Sequence, residues 1–253
     1  MVIATPLPDI PEPTELSVER GYGPYRASWP VRLADTDQHR RLRLDAVARY
    51  IQDIGYEHLG HTPGGDVHQG WVVRRNVIDV IAPIEFGADV VLQRWCAATS
   101  NRWCNMRVRI EGSDGGLIET EAFLIHFDVE SGLPSRMSDA FLEPMLATTT
   151  EHRLRWKPAL AKTAADEVEV RDYPLRTIDL DWLGHVNNAA YLGAVEELMG
   201  EQVVPYRTIV EYAKPLVLAD HLTLASTASE GGLDAWFVVG DDVRASARVE
   251  PLG

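Results

Sequence analysis

A short group of charged residues occurs twice in this 253-residue chain, and this repeat restricts the possible folds more than any other feature. The two copies are related by a constant offset of 144 positions, which pairs Arg32 with Arg176, Asp35 with Asp179, and Asp37 with Asp181. Beyond the following helix the match continues at an offset of 132, as expected if most of the loop 60–70 is missing from the second copy. The same elements in the same order indicate a tandem duplication.

The spacing of apolar residues predicts the elements of each copy. Residues 44–59 and 188–200 read as helices, the first with a clear apolar stripe. Strands rich in Val, Ile, Trp and Phe are predicted at 25–33, 71–81, 89–98, 106–110 and 117–128. A single helix followed by a series of long strands is typical of an α+β fold with an antiparallel sheet.

Composition sets the boundaries of the copies. Residues 1–24 begin with a proline-rich stretch that has no periodicity, which predicts a flexible N-terminal arm. Residues 146–169 lose the strand pattern and are dominated by Thr, Ala and charged residues, which predicts a linker. The first domain is therefore expected at 25–145 and the second at 170–253.

Charge and hydropathy limit the partners and the compartment. The formal net charge of −14 argues against nucleic acid and against anionic membranes. No run approaches the roughly 18 to 20 apolar residues of a membrane span, and the N-terminus does not read as a secretory signal, so we expect a cytoplasmic protein. Cys96 and Cys104 are then expected to be buried thiols and not a disulfide.

The basic residues are unevenly distributed. Sixteen of the 24 Lys and Arg residues fall within 26–157, whereas the chain from 158 onward has 16 acidic and 7 basic residues. A basic face on the first half would suit an acidic partner. Solvated strand positions are the alternative interpretation of these arginines.

The segment with most chemical content lies between the second Asp-x-Asp turn and its helix. Asp181, His185, Asn187 and Asn188 fall within eight positions. If an asparagine caps the helix, the free amides beyond it would face a developing anion, and such amides are typically worth ~3 kcal/mol of barrier. Asp181 would act as base or nucleophile, and His185 would orient a water, polarise Asp181 or donate to the oxyanion. Ordinary loop and cap roles are the alternative.

The run from Asp179 to Tyr191 resembles the plant and bacterial fatty acyl-acyl-carrier-protein thioesterases, whose second hot-dog domain carries Asp-x-Asp-x-x-x-His-Val-Asn-Asn-x-x-Tyr. Residues 49–58, 70–75 and 209–212 also look like family segments, so the resemblance covers most of the chain. It implies two tandem hot-dog domains, each a long helix wrapped by an antiparallel sheet. It also implies catalytic roles for Asp181 and His185, and an acyl carrier protein with a phosphopantetheine-linked chain as partner.

Two positions depart from the plant pattern. Leu183 stands where plant members have an asparagine, and Pro215 stands where they have a catalytic glutamate. Catalysis would therefore use a reduced set, or recruit Glu196, Glu211 or Asn188, or the protein is a weak relative.

In the first copy, Arg40 and Arg41 replace the Gly-His pair, which suggests that this half has lost the catalytic site and kept a binding role.

We expect Trp71 and Val73, together with Ile51 and Val77, to line an acyl tunnel, and Asn187 and Asn188 to position the substrate. The acidic carrier is expected to dock on Arg40, Arg41, Arg74 and Arg75.

Other functions remain as alternatives. Coenzyme A is an alternative carrier, since both carriers share the pantetheine arm, and a non-hydrolytic acyl-binding protein is a further hypothesis. A hot-dog hydratase fits less well, because Leu183 and Gly184 replace the Asn-Pro of its motif. No phosphate loop, nucleophile elbow or zinc spacing is found, so no cofactor or metal is expected. A monomer and a homodimer are both compatible with the sequence.

Overall fold

The computed structural model describes residues 3–12, 14–149, 151–200, 204–229 and 231–252. Within these ranges ten strands form one antiparallel sheet. The strands are β1 (Tyr25–Pro30), β2 (Trp71–Ala82), β3 (Asp89–Thr99), β4 (Trp103–Gly112), β5 (Leu117–His126), β6 (Glu169–Asp172), β7 (Tyr206–Tyr212), β8 (Leu222–Ser229), β9 (Gly232–Val239) and β10 (Asp242–Pro251). Their order across the sheet is β1-β3-β4-β5-β2-β7-β10-β9-β8-β6.

Four α-helices accompany this sheet in the described ranges: α1 (Glu15–Arg20), α2 (Leu44–His61), α3 (Asp139–Leu146) and α4 (Asn188–Met199). The long helices α2 and α4 pack against each other and against one face of the sheet. Leu44, Val47 and Ile54 form the buried stripe of α2, as the 3.6-residue period requires. No helix in the described part of the chain combines the length and apolar character needed to cross a bilayer.

The two halves of the chain join through the pairing of β2 with β7. In this ladder Asn76 lies opposite Val210 and Asp79 lies opposite Arg207. Side chains alternate between the two faces of the sheet, so Ile78 and Val210 enter the helix-covered core while their neighbours point to the other face. The predicted α+β fold with a large antiparallel sheet is therefore confirmed.

The face of the sheet opposite the helices carries ion pairs between neighbouring strands. Each pair joins residues that lie directly opposite one another: Asp79 with Arg207, Arg75 with Glu211, Arg107 with Glu121, and Arg109 with Glu119. Opposite charges in register stabilise an antiparallel ladder. Arg75, Arg107 and Arg109 of the first half are engaged in these pairs, so these three arginines do not contribute to an open basic face.

The N-terminal arm covers part of this charged face, which differs from the flexible arm that we predicted. Leu7 is buried beside Val77 and Ile209. The Arg207 guanidinium donates to the carbonyl oxygen of Ala4 at 2.8 Å, and such bonds satisfy donors that the strand pairing leaves free. The proline-rich part of the arm is irregular as predicted but packs closely, and the helix α1 (Glu15–Arg20) within the arm was not predicted.

The predicted linker is also irregular and packs on the same face. Leu160 is buried in the cluster with Leu7, and the main-chain amides of Ala159 and Leu160 donate to Glu211 at 2.8 and 3.2 Å. The two cysteines are free and buried, and burial raises the pKa of Cys96 to about 11. The expectation of two thiols is confirmed.

Candidate functional site

Asp181 lies in a tight turn between a short 3-10 helix and α4. The turn is closed by two main-chain bonds, from the Asp181 amide to the His185 oxygen at 2.8 Å and from the Gly184 amide to the Asp181 oxygen at 3.0 Å. Gly184 has φ +77°, a conformation that favours glycine. The Asp181 Oδ1 accepts the amides of Leu183 and His185 at 2.9 and 3.1 Å. No group in the described ranges donates to Oδ2, so half of the carboxylate is available.

The start of α4 lies next to this turn. Asn187 is the N-cap, and its Oδ1 accepts the amide of Ala189 at 2.9 Å. The amide of Asn188, the first in the helix, has no acceptor among the described residues. The positive end of the helix dipole adds to this donor, so the position favours an anion.

Asp181, Asn187 and Asn188 line the same cavity, which has a volume of about 660 Å³. The exposed side chains of Trp182 and Leu183 form part of its wall near Asp181. From there the cavity follows α2 between Gln52 and Thr62, roughly 15 Å of helix axis. A buried apolar cluster that includes Phe141 forms another part of the lining.

The predicted lining residues are mostly in place. Trp71, Val73 and Ile51 line the cavity beside Asp181. Val77 does not, because the strand alternation directs it to the opposite face of the sheet, where it packs against Leu7.

Two polar residues at this cavity were missed from the sequence. Gln52 of α2 forms a reciprocal amide pair with Asn187, with bonds of 3.0 and 3.2 Å. Asn76 of β2 is buried, lines the cavity and donates to the Tyr212 hydroxyl at 3.1 Å. The signal for Gln52 was available, because it is the counterpart of Glu196 at the 144-residue offset.

The first half contains the same turn with a different outcome. The amide of Asp37 donates to the Arg41 oxygen at 2.8 Å, and Asp37 Oδ1 accepts the amides of His39 and Arg41. Here, however, Oδ2 accepts the Arg41 Nε at 3.0 Å. Burial alone would raise the pKa of Asp37, but the bonds from Arg41 and His39 outweigh it and lower the pKa. Asp37 is therefore favoured in its ionised form, and its charge is compensated by the Arg41 side chain.

The first amide of α2 shows what this helix position binds. The Leu44 amide, the counterpart of the Asn188 amide, donates to Glu196 Oε1 at 3.2 Å. Glu196 lines a second cavity, of about 1000 Å³, together with Asp37 and Arg41, and it does not line the cavity of Asp181. In the first half, a carboxyl oxygen of Glu196 therefore accepts the first amide of the helix. In the second half, the corresponding Asn188 amide has no acceptor among the described residues.

The remaining predicted site residues lie elsewhere. His185 is half-buried, contacts Asp181 through its main chain, and does not line the Asp181 cavity. Glu211 is buried under the linker, where it is paired with Arg75 and accepts two main-chain amides. Glu211 is therefore not placed to assist Asp181.

The arginines expected to receive the carrier do not form one open surface. Arg75 is buried against Glu211, and Arg41 is paired with Asp37. Arg74 is half-buried and donates to the Ala213 oxygen at 3.0 Å. Only Arg40 of the four is exposed, and it lies over the Phe86 ring. The predicted docking patch is therefore wrong in this form, because three of its members are already engaged.

The described residues contain no group of three or more His, Cys, Asp or Glu side chains that would hold a metal ion. Close to Asp181, this cavity offers one free carboxylate oxygen, the first amide of α4 and neutral amide side chains, and Arg94 and His58 also line it. This set suits attack on a carbonyl carbon.

Comparisons with known proteins identify the family of this chain. A family model for the acyl-ACP thioesterase N-terminal domain matches residues 23–145, and one for the C-terminal domain matches residues 162–245. An uncharacterized protein of Mycobacterium tuberculosis strain H37Rv is 43% identical over 231 residues, which cover 90% of this chain and 92% of the relative. The chloroplastic oleoyl-acyl carrier protein thioesterase 1 of Arabidopsis thaliana is 22% identical over 203 residues, 71% of this chain and 56% of its own length.

Solved structures show the same fold. The acyl-ACP thioesterase of Bacteroides thetaiotaomicron superposes with a TM-score of 0.72 at 14% identity, covering 90% of this chain and 97% of the other. The 12:0-ACP thioesterase of Umbellularia californica gives a TM-score of 0.69 at 19% identity, with coverage of 90% and 96%.

Proposed function

Because this chain belongs to the acyl-acyl-carrier-protein thioesterase family, we propose that it hydrolyses the thioester of a fatty acyl-acyl-carrier-protein and releases the free fatty acid. We assign the chain to two tandem hot-dog units, residues 25–145 and 170–253, joined by the linker 146–169. We place it in the cytoplasm, in fatty acid biosynthesis, as a monomer or a homodimer.

One observation carries the proposal. Asp181, which has an unbonded carboxylate oxygen, and Asn188, which has an unbonded helix amide among the described residues, line the same cavity. In the first half both positions are blocked, by Arg41 and by Glu196. The asymmetry between two otherwise matching turns supports a single reactive centre at Asp181.

The reaction follows from these groups. Asp181 Oδ2 either takes a proton from the attacking water or attacks the thioester carbon itself. The amides of Leu183 and His185 hold Oδ1, so His185 orients the carboxylate through its main chain. The Asn188 amide stabilises the oxyanion of the tetrahedral intermediate. The carbon–sulfur bond then breaks, and in the base route the leaving thiolate of the pantetheine arm takes the proton that Asp181 removed from water. In the nucleophilic route the thiolate takes a proton from solvent, and a water then hydrolyses the acyl-aspartyl anhydride to free acid and regenerates the Asp181 carboxylate.

The cavity supplies the binding energy. Trp71, Val73 and Ile51 present apolar surface to the chain, and each buried methylene contributes roughly 0.8 kcal/mol. Asn187 is fixed by Gln52, and this pair positions the start of α4 beside the thioester.

The test is release of free acid from long-chain acyl-acyl-carrier-protein by wild type and by Asp181→Asn. Loss of the base is expected to lower the rate ~100-fold or more. Asp37→Asn is the matched control, because it makes the same change in the corresponding turn, and it should leave the rate within about threefold. Equal release by wild type and Asp181→Asn would contradict the assignment.

The carrier is tested with the same acyl group on acyl carrier protein and on coenzyme A. A marked preference for coenzyme A thioesters would mean that the carrier is coenzyme A, and the proposal of hydrolysis would stand. Tight retention of acyl ligands with no turnover on either carrier would mean that the protein binds acyl chains and does not hydrolyse them.

A further inference from the structure

Arg94 lines the Asp181 cavity and brings a positive charge to its wall. We call this cavity the acyl cavity, because the proposed function places the acyl chain in it. It lies in β3, opposite Tyr25 of β1, and is half-buried. Its side chain crosses α2 at Gly55, where an added Cβ would lie 3.9 Å from the Arg94 Nε. The Arg94 side chain therefore lies at van der Waals distance from this turn of α2.

This guanidinium has no carboxylate partner among the described residues. Its Nη1 bonds to His58 Nδ1 at 2.7 Å. Burial, the charge of Arg94 and His61 lower the pKa of His58 to about 3, so His58 is a neutral acceptor at physiological pH. The nearby acidic groups are the thiols of Cys96 and Cys104, whose pKa values are raised by burial. The charge of Arg94 is therefore not compensated by these neighbours.

The other interior arginines show the contrast. Arg75, Arg107 and Arg207 are each paired with a carboxylate on the neighbouring strand. An unpaired charge in an apolar site is destabilising, and proteins rarely keep one without a function. Among these arginines, the one that faces the acyl cavity is the one left unpaired.

We propose that Arg94 binds an acceptor oxygen, most tightly a carboxylate, carried by the acyl chain away from the thioester, and selects such chains over plain hydrocarbon. The position fits this role. Gly55 lies three residues, roughly 5 Å of helix axis, beyond Gln52, which contacts Asn187 at the reactive end. The oxygen would therefore lie along or at the end of the chain. This proposal rests on the function proposed above.

The test uses S-acyl pantetheine thioesters, which are independent of the carrier, over a series of chain lengths. Each length is prepared unsubstituted, with a terminal hydroxyl and with a terminal carboxylate. Binding is measured by calorimetry on Asp181→Asn protein, and turnover is measured on wild type. Charge-assisted bonds predict that the carboxylated chain of fitting length binds about 10- to 100-fold more tightly than the plain chain.

Arg94→Met keeps the length of the side chain and removes the charge. It is expected to abolish the preference, and to raise the Tm of the ligand-free protein because an unpaired charge is lost. Arg26→Met is the control, since Arg26 also lines the cavity but is exposed. If Arg94→Met does not fold, Arg94→Lys should retain the charge and part of the preference.

The outcomes separate the two proposals. If wild type prefers the carboxylated chain and Arg94→Met does not, the role of Arg94 is supported. If wild type prefers only the hydroxylated chain, the ligand of Arg94 is a neutral acceptor. Plain chains bound or hydrolysed as well as substituted ones, in wild type and variant alike, would overturn the Arg94 proposal and leave hydrolysis intact. Failure of every thioester to bind and to be cleaved would overturn both.

Discussion

Replacing Glu196 by glutamine should stabilise the protein above neutral pH and have little effect at pH 5. Glu196 lies in α4 and accepts the Leu44 amide at 3.2 Å. Burial raises its pKa from 4.5 to about 7, with Asp45 and Asp37 adding to the shift and the Leu44 amide and Arg43 opposing it. The folded protein therefore favours the neutral acid.

The direction of the pH effect follows from proton binding. Between the unfolded pKa of 4.5 and the folded pKa of about 7, the folded protein keeps a proton that the unfolded chain has lost. The free energy of unfolding therefore falls as pH rises through this window and is constant above it. The difference between the two pKa values corresponds to about 3 kcal/mol, and partial solvent access reduces this to about 2–3 kcal/mol.

Glutamine keeps an acceptor for the Leu44 amide and carries no charge. At pH 8, Glu196→Gln should therefore be more stable than wild type by about 2–3 kcal/mol, or about 5–10 °C in Tm for a chain of this size. At pH 5, just above the unfolded pKa, the two proteins should differ by less than about 1 kcal/mol. The assay is thermal unfolding followed by circular dichroism from pH 5 to pH 8.5.

Glu197→Gln is the matched control, because it removes an acid from the next position of the same helix, where the side chain is 62% exposed. Its pH profile should follow wild type. Parallel profiles for wild type and Glu196→Gln would refute the burial argument. Thioesterase activity should survive Glu196→Gln, since Glu196 lies on the second cavity, and a large loss would restore it as an auxiliary acid.

Two further predictions concern the paired turns. Arg40 has φ +68°, so Arg40→Gly should stabilise the protein by up to about 1 kcal/mol, whereas Gly184→Ala, at φ +77°, should destabilise it by about 1 kcal/mol; urea unfolding measures both, and a destabilised Arg40→Gly would contradict the strain argument. His185→Ala should lower turnover less than tenfold, because His185 holds Asp181 by its main chain; a loss equal to that of Asp181→Asn would assign the chemistry to the ring.

The elements near the repeat were predictable because their signals are local. The predicted helices at 44–59 and 188–200 correspond to α2 (Leu44–His61) and α4 (Asn188–Met199), and an asparagine does cap the second. The strand β4 begins three residues earlier than predicted, because Trp103 pairs with Ile125 although Asn105 interrupts the apolar pattern before Met106. The helix α3 was not predicted, since it contains Pro144.

The Asp181 turn and the asparagine cap of α4 were predicted from the sequence, but their surroundings depend on distant contacts. Gln52 meets Asn187 across 135 positions, and Arg75 meets Glu211 across 136. A local pattern gives no information on which arginine finds a carboxylate. Arg75 was expected at the surface but is buried and paired with Glu211. Arg94 has no carboxylate partner among the described residues, and the cavity that it lines is built from several elements, so no single segment of the sequence predicts it.

Both turns lie within one polypeptide, whose two halves are joined by the pairing of β2 with β7. In an assembly of two identical single-unit chains, every amino-acid replacement appears at both centres at once, so one centre cannot be closed without closing the other. Continuity of the backbone removes that restriction. Position 41 can be an arginine whose side chain bonds to Asp37 while position 185 is a histidine that contacts Asp181 through its main chain, and the two turns are free to acquire different tasks.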